Sequence, residues 1–387
     1  MIIKDAFNDA PIIEIEVIGG AVDTKNIVST EIVFSENKHD MATLTYSGFP
    51  ASAITVYKGL PVYIRFGNNA ANILEFHGYV AYVEANSFTR MGTVNDSRIQ
   101  EAKVVCVGVS YNMKQTSSTV YKNITLPKLV KAIANKYSFS YSVPNNNFTI
   151  PSVDQTSQSD WEVLISTANK LGYFVTVNNT HITVYDPFSS YYRALPATTL
   201  NTLETSEGTV RKPGNVLEFK GTFGDITPHG SSHNYVLKSI DSKGKPIQYS
   251  TTNSQGSGLG RQVSRRFTQE ITVNATTKEA LKQYADGYLK KSVPLHADVT
   301  TIGISTVFPG SIVLVNNYKS EFDGYWVVEE ARHVINTNHY MTHLHIKTDS
   351  TNQDPLQGSV GKNVKKHPGS RLYKDTWVTD KDFSYVY

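Results

Sequence analysis

Residues 159–185 decide the fold of the middle of the chain, and they read SDWEVLISTANKLGYFVTVNNTHITVY. Ser159 and Glu162 have the spacing of a capping box, in which each side chain satisfies a backbone amide at a helix start. Apolar residues then recur at helical spacing, and Gly172 stands where a helix-ending residue in the left-handed conformation is expected. Strands at 173–177 and 181–185 surround a turn of two asparagines. The segment therefore predicts a helix followed by a β-hairpin.

The residues around this segment extend it into a small mixed domain. Thr125 can cap another helix. The apolar stripe of that helix consists of Leu126, Leu129, Val130, Ile133, Ala134 and Tyr137. Short strands are expected at 139–143 and 148–150. Residues 114–208 thus predict an α+β module with two helices.

Strands dominate the chain before this module. In the first of them Ile13, Ile15 and Val17 alternate with two glutamates, which is typical of a half-buried strand. Six such short segments without a strong helix favour a sandwich or a barrel over residues 1–113.

Residues 209–350 return to the strand-rich pattern, with two interruptions. A polar, glycine-rich stretch at about 241–264 predicts a long loop. A capping box at 276–279 opens a helix expected at about 277–291. Three strands complete the region, at 311–316, 325–333 and 341–348.

Composition narrows the class of protein. The 387 residues carry a net charge of +3, which is too small to argue for nucleic acid or an anionic membrane as the main partner. The chain shows no signal-peptide pattern and no apolar stretch of transmembrane length, so we expect synthesis in a cytoplasm and no membrane insertion. The single cysteine, Cys106, lies in an apolar run and is interpreted as a buried, inert thiol.

Histidines form the densest group of candidate ligands. They are His333, His339, His343 and His345. On a strand, His343 and His345 share one face with Lys347, opposite an apolar face. Two imidazoles on one face can bind a metal, but no cysteine or carboxylate stands beside them at ligand spacing, and the lysine disfavours a cation. We therefore interpret this face as solvated or as part of an interface, with a metal site as the less favoured alternative, and we predict no cofactor.

The carboxylates show no pattern of a general acid and base. Glu329 and Glu330 are adjacent on a strand, so their side chains diverge. Three further acidic residues surround a helix start, where negative charge is favourable for structural reasons. These are Asp154, Asp160 and Glu162. The glycines at 256–260 lack the context of a phosphate loop, and the motifs of serine and zinc hydrolases are absent from the sequence. We therefore predict that the protein is not an enzyme.

Two stretches give the chain a resemblance to a known family. The first is the helix and hairpin at 159–185. The second runs from the helix at 281–289, through Pro309-Gly310 and its strand, to the strand that begins at Gly324 and ends at His333. In this order and spacing they resemble the bacteriophage baseplate hub family, which is related to late-control tail proteins and to the hub portion of type VI secretion spike proteins.

The resemblance implies a β-rich α+β fold in which two tail-tube-like β-barrel domains, at 1–113 and 209–350, flank the module at 114–208. It implies a homotrimer whose six barrels join a threefold central spike to a sixfold tail tube. Such a protein is a structural hub of the virion tail baseplate or of a related contractile injection system. The implied partners are the tail tube protein and the central spike protein, with tape measure and baseplate arm proteins as further candidates. No sequence-specific contact with nucleic acid is expected.

Two groups of residues are candidates for binding partners. A basic cluster after the glycine-rich loop is a solvated turn or a set of charges that line the lumen or pair with acidic partner loops, with contact to nucleic acid as the least favoured alternative. It consists of Arg261, Arg265 and Arg266. The polar C-terminal extension, residues 351–387, cannot build a core, so it is disordered or docked on a partner through aromatic anchors. These anchors are Trp377, Phe383, Tyr385 and Tyr387.

Two other classes of tail protein stay open as alternatives. A tail-associated cell-wall hydrolase would need two positioned carboxylates or a metal site in a cleft. A carbohydrate-binding protein that recognises the host surface would need exposed tyrosine and tryptophan side chains.

Overall fold

The N-terminal part of the chain forms the first of two curled β units in the computed structural model. Its strands are β1 (Ile12–Val17), β2 (Ile27–Ser35), β3 (Met41–Ser47), β4 (Pro61–Asn69), β5 (Asn72–Phe88) and β6 (Ile99–Gly108). They pair antiparallel in the order β1-β4-β5-β6-β3-β2. Glu14 and Glu16 are exposed on β1, and Ile13 and Ile15 pack on the core, as the alternation predicts. Cys106 is buried in this core, as predicted, and burial raises the pKa of its thiol to about 12.

The structure describes most of the chain. The described residues are 11–20, 26–47, 56–69, 72–88, 99–189, 195, 197–201, 203–205, 211–223, 233–241, 243–252, 267–291, 295–316, 318, 322–336, 339–348 and 385–386. None of the helices within these ranges combines the length and the apolar character needed to cross a bilayer.

The middle of the chain forms a helix-bearing module. Its elements are the 3₁₀ helix Val109–Lys114, β7 (Thr116–Thr125), α1 (Leu126–Lys136), β8 (Ser140–Pro144), β9 (Thr149–Ser159), α2 (Asp160–Lys170), β10 (Phe174–Asn178) and β11 (His181–Tyr185). The predicted capping box is present, because the Glu162 amide donates to the Ser159 hydroxyl at 3.2 Å and the Ser159 amide donates to the Glu162 carboxylate at 2.8 Å. Gly172 follows α2 with a φ of +77°. Thr125 stands at the start of α1, but its side chain makes no capping hydrogen bond.

The second β unit contains most of the strands after the module. The remaining elements are β12 (Ala197–Asn201), β13 (Leu203–Thr205), β14 (Arg211–Pro213), β15 (Val216–Phe223), β16 (His233–Ile240), β17 (Pro246–Thr252), β18 (Phe267–Thr272), α3 (Lys278–Lys291), β19 (Leu295–Ile302), β20 (Ile312–Asn316), β21 (Gly324–Asn336), β22 (Tyr340–Thr348) and β23 (Tyr385–Val386). The second unit pairs in the order β21-β22-β19-β15, with β20 on the first half of β21 and β12 parallel to β20. Trp326 is fully buried at its centre, and its indole N–H donates to the Phe322 carbonyl at 2.9 Å.

The described residues between 233 and 291 pack on the module. The strands β17, β16 and β18 form a small sheet, and α3 lies against it. The buried face of α3 joins the core of the module. Its members are Ala280, Leu281, Tyr284 and Ala285. Gly287 of α3 meets the end of α2 so closely that a Cβ there would lie 2.5 Å from the Lys170 carbonyl oxygen. This helix contact therefore requires glycine.

The two β units are joined edge to edge. Residues Ser29 to Ser35 of β2 pair antiparallel with Asn336 to Glu330 of β21. Within the described residues, this pairing makes one twelve-stranded sheet from strands that lie about 300 positions apart in the chain. The β-rich α+β fold with two curled β units and a helix-bearing module is as predicted from the sequence.

The contacts group some segments differently from the boundaries expected at 113 and 208. Residues 197–201 were assigned to the module, yet as β12 they pair with β20 in the second β unit. Residues 233–291 were assigned to the second β domain, yet the described residues of this range bury their apolar face on the module. In both cases the partner is distant in sequence, so local patterns do not reveal it.

Candidate functional site

The turn between β2 and β3, residues 36–40 and here termed the junction turn, contacts all three parts of the protein. The Asn37 amide donates to the Val175 carbonyl at 2.8 Å, and the Val175 amide returns a hydrogen bond to Asn37 Oδ1 at 3.1 Å. The His39 ring lies 4.3 Å from the Trp161 ring. The junction turn therefore attaches the first β unit to the module.

A buried ion pair lies beneath the junction turn. Lys347 Nζ of the second β unit is 2.6 Å from Glu36 Oε1, and the two side chains are 4% and 2% exposed. The Tyr185 hydroxyl of the module donates to Glu36 Oε2 at 2.6 Å. The Lys347 ammonium also lies 3.8 Å from the centre of the Phe174 ring. One charge cluster thus holds residues from the first unit, the second unit and the module.

Burial shifts the pKa values of the titratable groups in the junction turn. Burial raises the pKa of Glu36, and the nearby Lys347 ammonium and Tyr185 hydroxyl offset only part of this effect. Burial also raises the pKa of Asp40 well above its usual value, although the Ser35 amide donates to its carboxylate. Burial lowers the pKa of His39 to about 4. The stability of the junction is therefore coupled to pH.

The outer face of β22 carries two of the predicted histidines. His343 and His345 alternate with the buried Leu344 and Ile346, as expected for a strand. His343 Nδ1 lies 3.1 Å from Thr300 Oγ1, and His345 Nδ1 lies 2.7 Å from Asp298 Oδ1. Lys347 follows the same alternation, but it is buried because the junction turn covers this end of the strand.

His339 lies in the turn before β22, where its Nε2 is 2.8 Å from the Asn336 amide nitrogen.

His333 lies in the core of the protein. It is fully buried, with its ring 5.9 Å from that of Phe34 and 5.1 Å from that of Phe66 in the first unit. Its Nε2 donates to the Val307 carbonyl at 3.2 Å, which leaves Nδ1 to accept from the Tyr340 hydroxyl at 2.9 Å. Burial lowers the pKa of His333 to about 3. This histidine is thus a neutral side chain between the two β units.

His345 and two further side chains come close enough to share a metal ion. They are His296, Glu329 and His345, and their ligand atoms all lie within 4.8 Å of one another. The sequence places Glu329 and His296 far from His345, and only the pairing of β19, β21 and β22 brings them together. Sequence reasoning considered His343 and His345 as the histidine pair and missed this group.

The predicted acidic residues have structural partners. Glu330 accepts from the Ser35 hydroxyl at 2.9 Å, whereas Glu329 faces His345. The two glutamates contact different partners, but the expected strand alternation is broken here, because the register of β21 against β22 shifts between Val328 and Glu330. Asp160 is buried, and three donors bind it. These are Lys136 Nζ at 2.5 Å, the Tyr137 hydroxyl at 2.6 Å and the Gln155 amide at 2.8 Å. Burial would raise the pKa of Asp160, but these hydrogen bonds lower it below its usual value. Asp160 therefore fastens the end of α1 to the start of α2.

Most of the predicted partner-binding residues lie outside the described part of the chain. These are Arg261, Arg265, Arg266, Trp377, Phe383 and Tyr387. Tyr385 belongs to β23, whose backbone pairs antiparallel with β8, with Tyr385 opposite Pro144.

A cleft of about 350 Å³ opens between α2, α3 and the ends of β9 and β18. Its polar lining includes Asp154, Gln158 and Lys170. Tyr284 and Tyr288 also line it, but their rings contact Phe148 and Tyr235 in the core. These tyrosines do not form the open aromatic platform that a sugar ring would stack on.

Two edge strands of the twelve-stranded sheet, β1 and β15, carry charged side chains. Within the described residues, β1 pairs only with β4 and β15 only with β19. Arg65 binds Glu14 of β1 at 2.8 Å, and Lys220 lies 2.8 Å from Glu218 on β15. Charged side chains discourage unwanted pairing at a strand edge. Leu217 is 58% exposed on β15 beside a register shift, so this edge also offers apolar surface.

No protein-family model and no curated protein sequence matches the chain. Solved structures do match. The tail protein from Neisseria meningitidis MC58 superposes with a TM-score of 0.63 at 14% identity, over 88% of this chain and 97% of that one. The 43 kDa tail protein of prophage MuSo2 from Shewanella oneidensis gives a TM-score of 0.62 at 14% identity, over 87% and 98%. The chain has the fold of phage tail proteins.

The tail-protein fold also extends to secretion systems. The E. coli c3393 protein is described as a component of the type VI secretion system with structural similarity to the T4 bacteriophage tail proteins gp27 and gp5. It superposes with a TM-score of 0.50 at 10% identity, over 86% of this chain and 76% of that one. The match over nearly the whole length places both β units and the module within the tail-protein fold.

Proposed function

We propose that the protein is a structural hub of a phage tail baseplate or of a related contractile injection system. The observation that carries this proposal is the pairing of β2 with β21, which joins the two β units into one sheet. A chain built in this way presents two β units in a fixed mutual orientation. The fold of phage tail proteins supports the proposal.

In the proposed assembly, three chains form a ring and present six β units. Heterologous contacts between neighbouring units close into a ring when the rotation between them permits. A threefold protein with six similar units can join a threefold spike to a sixfold tube. We accordingly propose the tail tube protein and the central spike protein as partners, and the virion tail as the location. The described similarity of the type VI component c3393 to the T4 tail proteins gp27 and gp5 supports a place in a tail or in a related secretion assembly.

We further propose that the protein acts through its surfaces and not through catalysis. Glu329 and Glu330 contact different partners, His345 and Ser35, and three hydrogen-bond donors bind Asp160. The charge cluster of Glu36 and Lys347 is buried and inaccessible to a substrate. A cell-wall zymogram with the zinc-supplemented protein tests the hydrolase alternative, and a glycan-binding screen tests the host-recognition alternative. Clearing of the wall layer, or saturable binding of one glycan class, would replace the proposal.

Electron microscopy of the purified chain with its tail tube protein tests the assembly. We expect class averages of a threefold ring that carries six β units. Leu217→Asp, on the exposed edge strand β15, should abolish the ring if neighbouring units meet at this edge. Val120→Asp is the matched control, because Val120 is 55% exposed on the module. Rings of another symmetry, or isolated chains under all conditions, would contradict the proposal.

A further inference from the structure

Two imidazoles and a carboxylate meet on the outer face of the second β unit. His296 lies on β19, His345 on β22 and Glu329 on β21, and these three strands are neighbours in the sheet. Each residue contributes one ligand atom, and these atoms lie within 4.8 Å of one another. Adjacent strands hold the three ligands in place, which gives a more rigid site than a loop would provide.

A β-bulge directs Glu329 toward this group. The register of β21 against β22 shifts between Val328 and Glu330, which lie opposite Ile346 and His345. Glu329 is therefore the extra residue of the bulge. Bulges redirect a side chain from the face that simple alternation would give it. As a result, the Glu329 carboxylate lies 3.8 Å from His345 Nε2.

A second carboxylate orients His345. Asp298 Oδ1 lies 2.7 Å from His345 Nδ1, so the Nδ1–H group donates a hydrogen bond to Asp298. The other ring nitrogen, Nε2, then carries the lone pair and lies on the side of Glu329. Metal-binding histidines commonly donate their other ring N–H to a carboxylate in this way. The His296 ring stacks on His345, with the ring centres 5.6 Å apart and the planes 17° from parallel.

The spacing suits a small transition-metal ion. Zinc–ligand bonds near 2.1 Å in a tetrahedral site place two ligand atoms about 3.4 Å apart. The 3.8 Å between His345 Nε2 and Glu329 Oε2 is close to this value, and a ligand atom of His296 lies within 4.8 Å of the other two. Lys347 Nζ is 3.9 Å from Glu329, but its nearer partner is Glu36 at 2.6 Å, which neutralises its charge.

We propose that His296, Glu329 and His345 bind one divalent transition-metal ion, with Asp298 as the positioning residue for His345. Two nitrogen donors and one carboxylate favour zinc and its neighbours in the first row over calcium and magnesium, which prefer all-oxygen sites. The fourth coordination position remains available to water or to a ligand from a partner. The site is independent of the proposed hub function, because it lies within a single chain.

Calorimetric titration of the tag-free, full-length protein with zinc chloride tests the proposal. We expect one high-affinity zinc ion per chain. Glu329→Gln and His345→Ala should each weaken binding by more than about 100-fold, and Asp298→Asn by about 10- to 100-fold. These side chains are at least one-third exposed, so the variants should fold, which circular dichroism checks.

His343→Ala is the matched control, because His343 lies two residues from His345 on the same strand and face but contacts Thr300 instead. It should bind zinc within about twofold of the parent protein. High-affinity binding that survives both His296→Ala and His345→Ala would place the metal elsewhere and overturn the proposal. The absence of any high-affinity zinc ion would overturn it as well, and would leave His345 as an imidazole held between two carboxylates.

Discussion

Replacing Lys347 by methionine removes the positive charge beneath the junction turn while keeping a side chain of similar length. Glu36 then keeps its carboxylate in a site that is 2% exposed, with the Tyr185 hydroxyl as its remaining strong partner. Breaking a buried ion pair from one side typically costs about 3–5 kcal/mol. The loss should weaken the attachment of both β units to the module, because the cluster holds residues from all three.

The cost of removing Lys347 is limited by the free energy needed to protonate Glu36, because a protonated Glu36 carries no charge. Protonating a carboxyl group that has the ordinary pKa of 4.5 costs about 3.4 kcal/mol at pH 7 and about 1.4 kcal/mol at pH 5.5. Burial raises the pKa of Glu36 in the folded protein, so the folded state binds this proton more readily than the unfolded state. Protonation of Glu36 therefore raises the free energy of unfolding as the pH falls toward 4.5. We expect Lys347→Met to lower the free energy of unfolding by about 3 kcal/mol at pH 7 and by less than half of that at pH 5.5.

Urea unfolding followed by tryptophan fluorescence at both pH values measures this change. The double variant Glu36→Gln/Lys347→Met should recover stability to within about 1 kcal/mol of the parent, because no charge remains buried. Lys38→Met is the matched control. Lys38 also pairs with a glutamate of β21, Glu330, but it is 71% exposed, so its loss should cost less than about 1 kcal/mol. The reasoning is refuted if Lys347→Met costs no more than Lys38→Met, or if the double variant is as unstable as the single one.

Further predictions concern acid stability and helix packing. The folded-state pKa of His333, about 3, lies below its ordinary value of 6.5, so its contribution to stability is present above pH 6.5 and is lost as the pH falls, by about 1.4 kcal/mol per pH unit. His333→Gln should flatten the fall in unfolding free energy between pH 6 and pH 4, and an unchanged slope would show that this histidine does not titrate as inferred. Gly287→Ala should destabilise the protein by about 1–3 kcal/mol although alanine favours helices, because its Cβ would meet the Lys170 carbonyl oxygen. The control Gln283→Ala on the exposed face of α3 should change the melting temperature little, and equal melting temperatures for both variants would contradict the close helix contact.

Local patterns were sufficient to predict much of the fold. The capping box at Ser159 and Glu162 gave the start of α2, and the alternation around His343 and His345 gave the two faces of β22. These features depend on neighbours in the sequence, whose periodicity follows directly from helix and strand geometry. The β-rich α+β class followed from them.

Long-range pairing accounts for what the sequence did not reveal. Nothing in residues 29–35 indicates that they pair with residues 330–336, and nothing in the charged junction turn indicates that Glu36 is buried. Charge at a turn normally predicts exposure, and this expectation fails where a second strand supplies Lys347 as a partner. The bulge that turns Glu329 toward His345 is likewise a property of two paired strands. The candidate metal ligands therefore became visible only in three dimensions.

Native mass spectrometry of the purified full-length chain tests the proposed hub most directly. The chain has a mass of 43.0 kDa, so the account predicts a dominant species at three times that mass, stable at the lowest concentration that can be measured. A chain that remains at 43.0 kDa alone and in the presence of tube and spike proteins, or that forms only dimers or tetramers, would contradict the threefold hub.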